Sequence, residues 1–558
     1  MSSISLSSTE NSFSRLDMAI ADFLTTRSPL VGEQRSLLKV LLARLSNQQA
    51  QGHNCLLLSE AERDLIAQSN LVTELSNVPL SALLPAIRPL VLEQHRLYLQ
   101  RYWAYEARLA WQLVNKIKLR HAFTDIDSAL DRYFPPLPNN ETDWQRAAAK
   151  MALQQVFSII TGGPGTGKTT TVVKILALMQ ELTETPLHIA LAAPTGKAAM
   201  RLQESIGQSI NRLPCTQAIK QSIPDKVTTL HRLLGARANS PYFRHDTTHP
   251  LVYDLIVIDE ASMVDLALMS KLVDALKASG RLILLGDKDQ LASVESGSVL
   301  ADLTEALPAQ TLELKVSHRF DHDIKALAEA INSQRAEQAW QLLQQQNNTV
   351  GILNGDPIHY VAEQQHAYLR LIKQGASFQE IYRSFNGFQV LCATRQGTNS
   401  VTDLNYRVEQ QLARENLITL SGLWYAGRPV MITQNNPTLH LYNGDIGICL
   451  PDTDNANKLR VFFQQADGMV KKYLPARITH CETVFAMTIH KSQGSEFDEV
   501  LVVLPELMNP VLTKELLYTA LTRAKKSLKV VAEEPIFKAT TLQKIQRVTG
   551  LVNKLKQD

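Results

Sequence analysis

Residues 162–169 combine glycine, lysine and threonine in a spacing that suits phosphate chemistry. The segment reads GGPGTGKT and matches the pattern GxxxxGK[ST] at every fixed position. Closely spaced glycines let successive backbone N–H groups turn toward phosphate oxygens, and a helix that begins here adds the positive end of its dipole. Lys168 is expected to reach the β and γ phosphates, and Thr169 to bind Mg²⁺. The predicted nucleotide-binding residues are Gly162, Gly163, Pro164, Gly165, Thr166, Gly167, Lys168, Thr169 and Thr170.

A second chemical signal is the pair of adjacent carboxylates at Asp259 and Glu260. They follow the apolar run 255–258, which is typical of a buried strand. Burying charge is costly, so two acids at the tip of such a strand indicate a function. Asp259 is expected to hold Mg²⁺ through a water molecule, and Glu260 to orient and polarise the attacking water. The two signals together predict hydrolysis of a nucleoside triphosphate.

Further segments with distinctive wording follow in a fixed order along the chain. They are APTGKAA at 193–199, TLHRLLG at 229–235, GDKDQL at 286–291, SHRF at 317–320, AMTIHKSQGSEF at 486–497 and YTALTRA at 518–524. In this order they resemble the motif series of superfamily 1 DNA helicases. The sequences of the second, fifth and sixth segments are similar to those of the RecD family, the alpha subunits of exodeoxyribonuclease V. GHNCL at 52–56 and the aromatic helix near Trp103 extend this resemblance over nearly the whole chain.

The resemblance implies that the nucleotide is ATP, and it assigns roles to further residues. Gln145 resembles the glutamine that reads adenine in this superfamily. Gln290 is expected to sense the γ-phosphate. Arg319 and Arg523 are expected to contact phosphoryl oxygens in the transition state, although a surface salt bridge is the alternative for either arginine alone. The residues expected to serve catalysis are Lys168, Asp259, Glu260, Gln290, Arg319 and Arg523.

Contacts with a DNA strand are expected from small hydroxyl and imidazole groups, which can bond phosphate oxygens without reading bases. The residues assigned to DNA are Thr195, Thr229, His231, Thr488 and His490. A core histidine is the alternative for His231. The resemblance implies a 5′→3′ helicase that acts on single-stranded DNA and duplex ends in double-strand break repair and recombination. It also implies a RecBCD-type complex, with the beta and gamma subunits as partners.

The elements around these residues alternate between apolar strands and helices, which predicts an α/β fold. The runs 156–160, 187–193, 255–258 and 282–285 are uniformly apolar, as in a parallel sheet that is covered on both faces. Towards the C-terminus, a strand at 500–504 and a helix at 514–526 are expected. The resemblance implies two RecA-like parallel-sheet motor domains, the second with a small SH3-like β insertion.

The chain divides into three predicted domains. Residues 1–133 carry apolar residues at helical spacing and lack a nucleotide motif, which predicts a helical N-terminal docking domain. The alternative is a DNA-guiding role, which would rest on Arg101, Arg108, Lys116, Lys118 and Arg120. A proline-rich break at 135–140 marks the end of this domain, because proline fixes φ and lacks an N–H group. We assign 139–345 to the first motor domain and 346–558 to the second, with the β-rich insertion at about 421–485.

Composition restricts the class of protein. The chain has 558 residues, of which 45% are hydrophobic and 20% charged, as in ordinary globular proteins. Its formal net charge is only +3, so nucleic acid must bind to local patches rather than to bulk charge. The five cysteines show no CxxC spacing. No apolar run approaches the roughly 18 residues that span a bilayer, so a cytoplasmic protein without a membrane segment is expected.

Two other functions are compatible with parts of the sequence. A P-loop protein could be a non-translocating switch that uses ATP to order a complex, but both arginines and a motif series spanning two α/β halves favour a motor. The triplet Glu313-Leu314-Lys315 has the E-x-K form found in nucleases, yet no Asp in a suitable context precedes it. We therefore expect this chain to carry the motor, and a partner chain to carry any nuclease site.

Overall fold

The described residues of the computed structural model form a small mixed sheet, two parallel sheets and one antiparallel sheet. The residues that the structure describes are 13–75, 88–120, 123, 126–136, 142–293, 295–316, 322–436, 438–465 and 468–556. Within them, none of the helices has both the length and the apolar character required to cross a lipid bilayer.

The N-terminal region combines helices with the small mixed sheet. Its elements are α1 (Arg15–Thr25), α2 (Gly32–Ala50), β1 (Leu56–Leu57), α3 (Glu60–Ala67), β2 (Val72–Leu75), β3 (Leu90–Glu93) and β4 (Arg96–Leu99). Helix α1 begins at a capping box, in which Ser14 and Asp17 each accept from the other's backbone N–H group. The predicted helices are present, but the sheet, in the order β1-β4-β3-β2, was not predicted. Strands of two to four residues are too short to show an alternating pattern.

The first parallel sheet lies at the centre of the first motor domain. The elements of this part are α4 (Gln100–Ile117), α5 (Ile126–Tyr133), α6 (Trp144–Gln154), β5 (Phe157–Thr161), α7 (Lys168–Glu181), β6 (Ile189–Ala193), α8 (Gly196–Asn211), α9 (Gln217–Ser222), β7 (Val227–Thr229), α10 (Leu230–Leu234), β8 (Leu255–Ile258), α11 (Leu266–Asp274), β9 (Arg281–Gly286), α12 (Val299–Ala306) and β10 (Thr311–Glu313). The strand order is β10-β5-β9-β8-β6-β7, and every pairing is parallel. The predicted parallel α/β architecture is confirmed.

Two helices that were assigned to the N-terminal domain pack on this motor domain, although α4 also contacts the N-terminal sheet. Leu109 and Leu113 of α4 lie in the core on one face of the sheet, and Leu130 of α5 lies in the core on the other face. The Lys116 ammonium donates to the carbonyl of Gly280 at 3.0 Å, next to β9. The boundary predicted at 133 is therefore not where the packing changes. Helical periodicity shows that a helix has an apolar face, but it does not show which element covers that face.

The second parallel sheet and the antiparallel sheet belong to the rest of the chain. The elements are α13 (His322–Asn332), α14 (Ala336–Gln344), β11 (Val350–Ile352), α15 (Pro357–Lys373), α16 (Phe378–Phe385), β12 (Phe388–Cys392), α17 (Val401–Arg414), β13 (Pro429–Ile432), β14 (Ile446–Asp452), β15 (Lys458–Gln464), β16 (Val470–Tyr473), β17 (Cys481–Thr483), β18 (Ala486–Thr488), β19 (Phe497–Val503), α18 (Lys514–Leu521), β20 (Ala524–Val531), α19 (Glu534–Leu542) and α20 (Leu551–Lys556). The parallel order is β11-β20-β19-β12-β18, and the antiparallel order of the insertion is β16-β15-β14-β13-β17.

Two expectations for this half are corrected by the packing. Leu327 of α13 and Trp340 of α14 lie in the core of the second motor domain, although the predicted boundary at 345 placed both helices in the first. The helix expected at 514–526 ends at Leu521, and Ala524 begins β20, an interior strand of the sheet. In the sequence, the exposed lysines at the start of β20 look like the surface of a continuing helix. Only the pairing of this segment with β19 and β11 shows that it is a strand.

Candidate nucleotide and nucleic-acid sites

The predicted nucleotide residues of the first motor domain gather at one edge of its sheet. The P-loop at 162–169 follows β5, Asp259 and Glu260 follow β8, and Gln290 follows β9. The carboxyl ends of parallel strands meet at the same edge, so residues distant in sequence can share one crevice. Gln145, Lys168, Thr169, Asp259, Glu260 and Arg523 are among the residues that line a cleft of about 580 Å³ there. We call this cleft the ATP cleft.

The P-loop is shaped by glycine and closed by Gln145. Gly167 has a φ of +83°, a left-handed conformation that glycine adopts without strain. A Cβ at this position would lie 2.6 Å from the Gln145 amide nitrogen, which donates to the carbonyl of Thr166 at 3.3 Å. The Lys168 ammonium donates to the carbonyls of Gly162 and Gly163, at 2.5 and 3.1 Å. The Lys168 side chain therefore lies over the backbone of the P-loop, at the N-terminus of α7.

The two carboxylates after β8 sit on a strained backbone. Glu260 has a φ of +52°, which for a residue with a side chain costs on the order of 1–3 kcal/mol. Its backbone N–H donates to Asp259 Oδ1 at 2.9 Å. Burial, with Glu260 alongside, raises the pKa of Asp259 to about 6, and the Lys168 charge opposes the rise. Such backbone strain is typical of functional sites. No local feature of the sequence predicted it.

Magnesium fits the residues that were predicted to hold it. Thr169 and Asp259 both line the ATP cleft, and the buried carboxylate is one whose charged form a cation would stabilise. Mg²⁺ commonly uses one or two protein ligands and completes its shell with water and substrate phosphates. When bound, the ion would neutralise charge on the phosphates.

Gln290 and Asp287 join the ATP cleft to the second motor domain. Gln290 Nε2 donates to Asp287 Oδ2 at 3.1 Å, and the Tyr518 hydroxyl donates to the same oxygen at 3.0 Å. Burial raises the pKa of Asp287 to about 6, while Lys168 opposes the rise. Tyr518 belongs to α18, so a strand end of one motor domain is bonded to a helix of the other. Asp287 lies within the segment GDKDQL, whose pattern predicted a role for Gln290 but none for this carboxylate.

Arg523 reaches the same cleft from the second motor domain. The residue is 2% exposed, and its guanidinium donates to the carbonyls of Thr519 and Ser495 at 3.1 and 3.2 Å. Burial lowers the pKa of this group, and the nearby Glu260 carboxylate opposes the change. The alternative of a surface salt bridge does not fit this buried position. Arg319, the other predicted arginine, lies outside the described residues.

An ion pair that the sequence did not predict spans the ATP cleft. Arg201 on α8 pairs with Glu496, which stands just before β19 in the second motor domain. Both residues line the cleft. Glu496 is also 3.9 Å from the Lys525 ammonium. Neither residue belongs to a spacing pattern that would relate one to the other, because they lie in different domains.

The three predicted DNA-binding threonines share a local role as helix caps. Thr195 accepts from the Ala198 N–H group at 3.2 Å, and Thr229 accepts from that of Arg232 at 3.3 Å. Thr488 caps the 3₁₀ turn after β18 in the same way. The N-terminus of a helix presents free N–H groups and a positive dipole end, which suit a phosphate.

A groove of about 550 Å³ runs between the first motor domain and the β insertion. Thr195, Thr229 and His231 line one wall, and Tyr442 and Lys471 are among the residues of the opposite wall. The Arg232 guanidinium crosses the groove and donates to the Tyr442 hydroxyl at 3.1 Å. We call it the insertion groove. The insertion residues of this wall were missed, although an aromatic residue before the Asn-Gly turn at 443–444 was a visible signal.

Thr488 and His490 do not line the insertion groove with the other predicted DNA residues. Burial, followed by the charge of Arg547, lowers the pKa of His490. The E-x-K triplet also does not form a site. Glu313 pairs with Lys288 at 2.7 Å, and the Lys315 ammonium lies over the Trp144 ring at 4.3 Å from its centre.

Three family models match separate parts of the chain. Residues 145–296 match the family described as AAA domain, 483–531 match the UvrD-like helicase C-terminal domain, and 9–98 match the N-terminal domain of RecBCD enzyme subunit RecD. Among solved structures, Bacteroides Pif1 bound to ssDNA is 17% identical, with 71% of this chain and 93% of that chain covered and a TM-score of 0.42.

Curated relatives extend the similarity to most of the sequence. The ATP-dependent RecD2 DNA helicase of Deinococcus radiodurans is 32% identical, over 66% of this chain and 46% of that protein. The RecBCD enzyme subunit RecD of Haemophilus influenzae is 38% identical, with 85% of this chain and 82% of that protein covered. The RecD subunit of Mycolicibacterium smegmatis is 41% identical, with 82% of each covered. On the strength of these two long alignments, this chain belongs to the RecD family.

Proposed function

We propose that this chain, an ATP-dependent DNA helicase of the RecD family, moves 5′→3′ along single-stranded DNA as the alpha subunit of a RecBCD-type exodeoxyribonuclease V complex. Mg²⁺ accompanies ATP, and the complex works in the cytoplasm on duplex ends, in double-strand break repair and recombination. The beta and gamma subunits complete a heterotrimer. This chain supplies a motor, and the nuclease site belongs to a partner.

The observation that carries the proposal is the position of the ATP cleft between two parallel-sheet domains. Lys168, Glu260 and Gln290 come from the first domain, whereas Arg523 comes from the second. Residues presented across a cleft can respond to the γ-phosphate by changing how the domains meet, and movement of one domain past the other is what a translocating motor requires. A switch that only orders a complex would not need the insertion groove beside the ATP cleft.

Lys168→Ala tests this conclusion directly. The full-length chain should hydrolyse ATP faster with single-stranded DNA, and with the beta and gamma subunits it should unwind a duplex that carries a 5′ single-stranded tail. The variant should lose hydrolysis because the P-loop lysine is the charge that meets the β and γ phosphates. Normal turnover in a folded Lys168→Ala variant contradicts the proposal, and so does equal hydrolysis with and without DNA.

The N-terminal domain offers an apolar surface for docking to the gamma subunit. Leu16 and Phe23 are 67% and 58% exposed and lie seven residues apart, on one face of α1. Val31, just before α2, is 73% exposed. Exposed apolar residues concentrated at one place are typical of an interface. None of the residues described before α4 lines the ATP cleft, so docking is the function that this surface supports best.

Point substitutions test docking better than removal of residues 1–133, because α4 and α5 belong to the core of the first motor domain. Leu16→Asp combined with Phe23→Asp should prevent co-purification with the beta and gamma subunits while DNA-stimulated hydrolysis is kept. Val252→Asp, at a residue that is 69% exposed on the motor domain, is the matched control. Assembly that survives the double substitution contradicts this assignment.

A further inference from the structure

Arg547 makes three backbone contacts with a loop that leads away from the ATP cleft. Its guanidinium donates to the carbonyls of Gly297 at 2.5 Å, Ser293 at 2.6 Å and Glu295 at 3.1 Å. These residues follow Gln290 by only a few positions. We call residues 287–297 the sensor loop and residues 543–556, which follow α19, the C-terminal strap. Of the sensor loop, residues 287–293 and 295–297 are described.

The first half of the sensor loop is bonded to the second motor domain. The Leu291 N–H group donates to the Thr519 hydroxyl at 2.8 Å, and the Gln493 amide donates to the Leu291 carbonyl at 3.0 Å. Gln290 lines both the ATP cleft and a second cavity of about 770 Å³, which Arg547 also lines. Gln290 and the loop segment that Arg547 holds therefore belong to one continuous set of contacts.

The second half of the loop is bonded to the N-terminal domain. The Gly297 N–H group donates to the carbonyl of Gly52 at 3.0 Å. The strap runs beside the same turn, because the Asn54 N–H group donates to the carbonyl of Val548 at 2.9 Å and the Val548 N–H group donates to His53 Nδ1 at 3.0 Å. The turn at 52–54, the loop and the strap thus meet at one point.

A buried network anchors the end of the strap. The Lys554 ammonium, 1% exposed, donates to Glu106 Oε2 at 3.0 Å and to Glu93 Oε2 at 2.6 Å. The Thr549 hydroxyl donates to Glu106 Oε1 at 2.9 Å. Buried charges that are paired and hydrogen-bonded on several sides have few alternative arrangements. The strap is therefore fixed where it meets the N-terminal sheet and α4, and Arg547 is held in place relative to the loop.

We propose that Arg547 is a positioning residue for ATP hydrolysis, which acts through the sensor loop on Gln290 and couples the N-terminal domain to the ATP cleft. Arg547 does not line the ATP cleft. Its planar fork is suited to hold several carbonyls at once, which a lysine ammonium does with less geometric control. The inference rests on the proposed function, since the loop matters only if Gln290 serves hydrolysis.

Gly52 gives an independent way to disturb Arg547 from the N-terminal side. Its φ is +90°, and a Cβ there would lie 3.1 Å from both Arg547 Nε and Cζ. Alanine at 52 would strain the turn and press on the guanidinium without removing any of its hydrogen-bonding groups. If Gly52→Ala and Arg547→Ala lower the rate of hydrolysis in the same way, the coupling between the N-terminal domain and the ATP cleft passes through the contact between Gly52 and Arg547.

The experiment measures steady-state ATP hydrolysis by the full-length chain with saturating single-stranded DNA. For Arg547→Ala, kcat should fall about tenfold while KM for ATP changes less than about twofold. Arg547→Lys should recover part of the loss, and Gly52→Ala should lower kcat in the same way. Lys556→Ala, which removes an exposed pair with Glu305 from the same strap, is the matched control and should behave as the parent chain.

A double substitution and hydrogen exchange complete the test. Adding Arg547→Ala to Gln290→Ala should lower kcat no further than Gln290→Ala alone, since both act on one step. Amide exchange at Leu291 and Gly297 should accelerate in Arg547→Ala. The proposal would be overturned if Arg547→Ala left kcat unchanged, or if the losses of kcat from Arg547→Ala and Gln290→Ala multiplied in the double variant. It would also be overturned if Lys556→Ala lowered kcat as much as Arg547→Ala, because the strap would then have only a structural role. Failure of the proposed function is separate, because Lys168→Ala would then hydrolyse ATP normally.

Discussion

The ATP cleft and the insertion groove are built on different principles. The cleft gathers charged groups, among them the partly buried Lys168 and Asp259 and the buried Arg523, at strand ends of two domains. The groove gathers helix caps such as Thr195 on one side, and partly exposed side chains such as Tyr442 on the other. Phosphoryl transfer requires particular charged groups at fixed positions, whereas movement along any DNA sequence requires backbone donors and stacking surfaces. The cleft is therefore specified by residue identity, and the groove by shape.

Glu260→Gln should produce the largest effect and confine it to the cleft. The amide can still fill the strained position but cannot act as a base, so hydrolysis should fall by up to about 10⁴-fold. ATP binding, measured by equilibrium dialysis in the presence of Mg²⁺, should persist. Loss of nucleotide binding in this variant would show that the carboxylate holds the metal instead, and the division of roles between Asp259 and Glu260 would be wrong.

Arg523→Ala should lower turnover by about 10³, the low end for an arginine that stabilises transferred phosphate, and leave ATP binding within roughly tenfold. Because Arg523 is buried and bonded to Ser495 and Thr519, unfolding has to be excluded by circular dichroism. Arg523→Lys keeps the charge without the fork and should recover only part of the rate. Equal losses of binding and turnover would indicate a ground-state clamp. Arg319→Ala is expected to act in the same way.

Tyr442→Ala should weaken single-stranded DNA binding about tenfold, since stacking of a base on an aromatic ring is worth roughly 1–3 kcal/mol. Tyr442→Phe keeps the ring and loses only the hydroxyl that accepts from Arg232, so its affinity should stay near that of the parent chain. Tyr406→Ala, at an exposed tyrosine of α17, is the control. If Phe weakens binding as much as Ala, the contact between the groove walls matters rather than stacking.

Arg201→Ala should have the smallest effect, about threefold in KM for ATP, because a partly exposed ion pair contributes no more than about 1 kcal/mol. The exchange Arg201→Glu with Glu496→Arg should restore KM if attraction across the cleft is what matters. Arg212→Ala, at the end of the same helix, is the control. An exchange that fails to restore KM would show that either side chain contacts the nucleotide in its own right.

The chemistry of the ATP cleft could be predicted from the sequence because its determinants are local. A P-loop needs consecutive residues, and Asp259 and Glu260 need only the apolar strand before them. Uniformly apolar runs also predicted parallel strands, because a strand covered on both faces has no polar side. Both ends of β8 coincide with the ends of such a run.

Only the tertiary structure decided which elements belong together. One part of α4 packs on the N-terminal sheet and another part lies in the core of the first motor domain, whereas α13 packs with the second motor domain. The pairs Arg201–Glu496 and Arg547–Gly297 unite residues that are distant in sequence. The sequence of a hydrophobic face or of a charged side chain does not identify its partner. Burial and ion pairing are favourable with any complementary neighbour that the folded chain brings close.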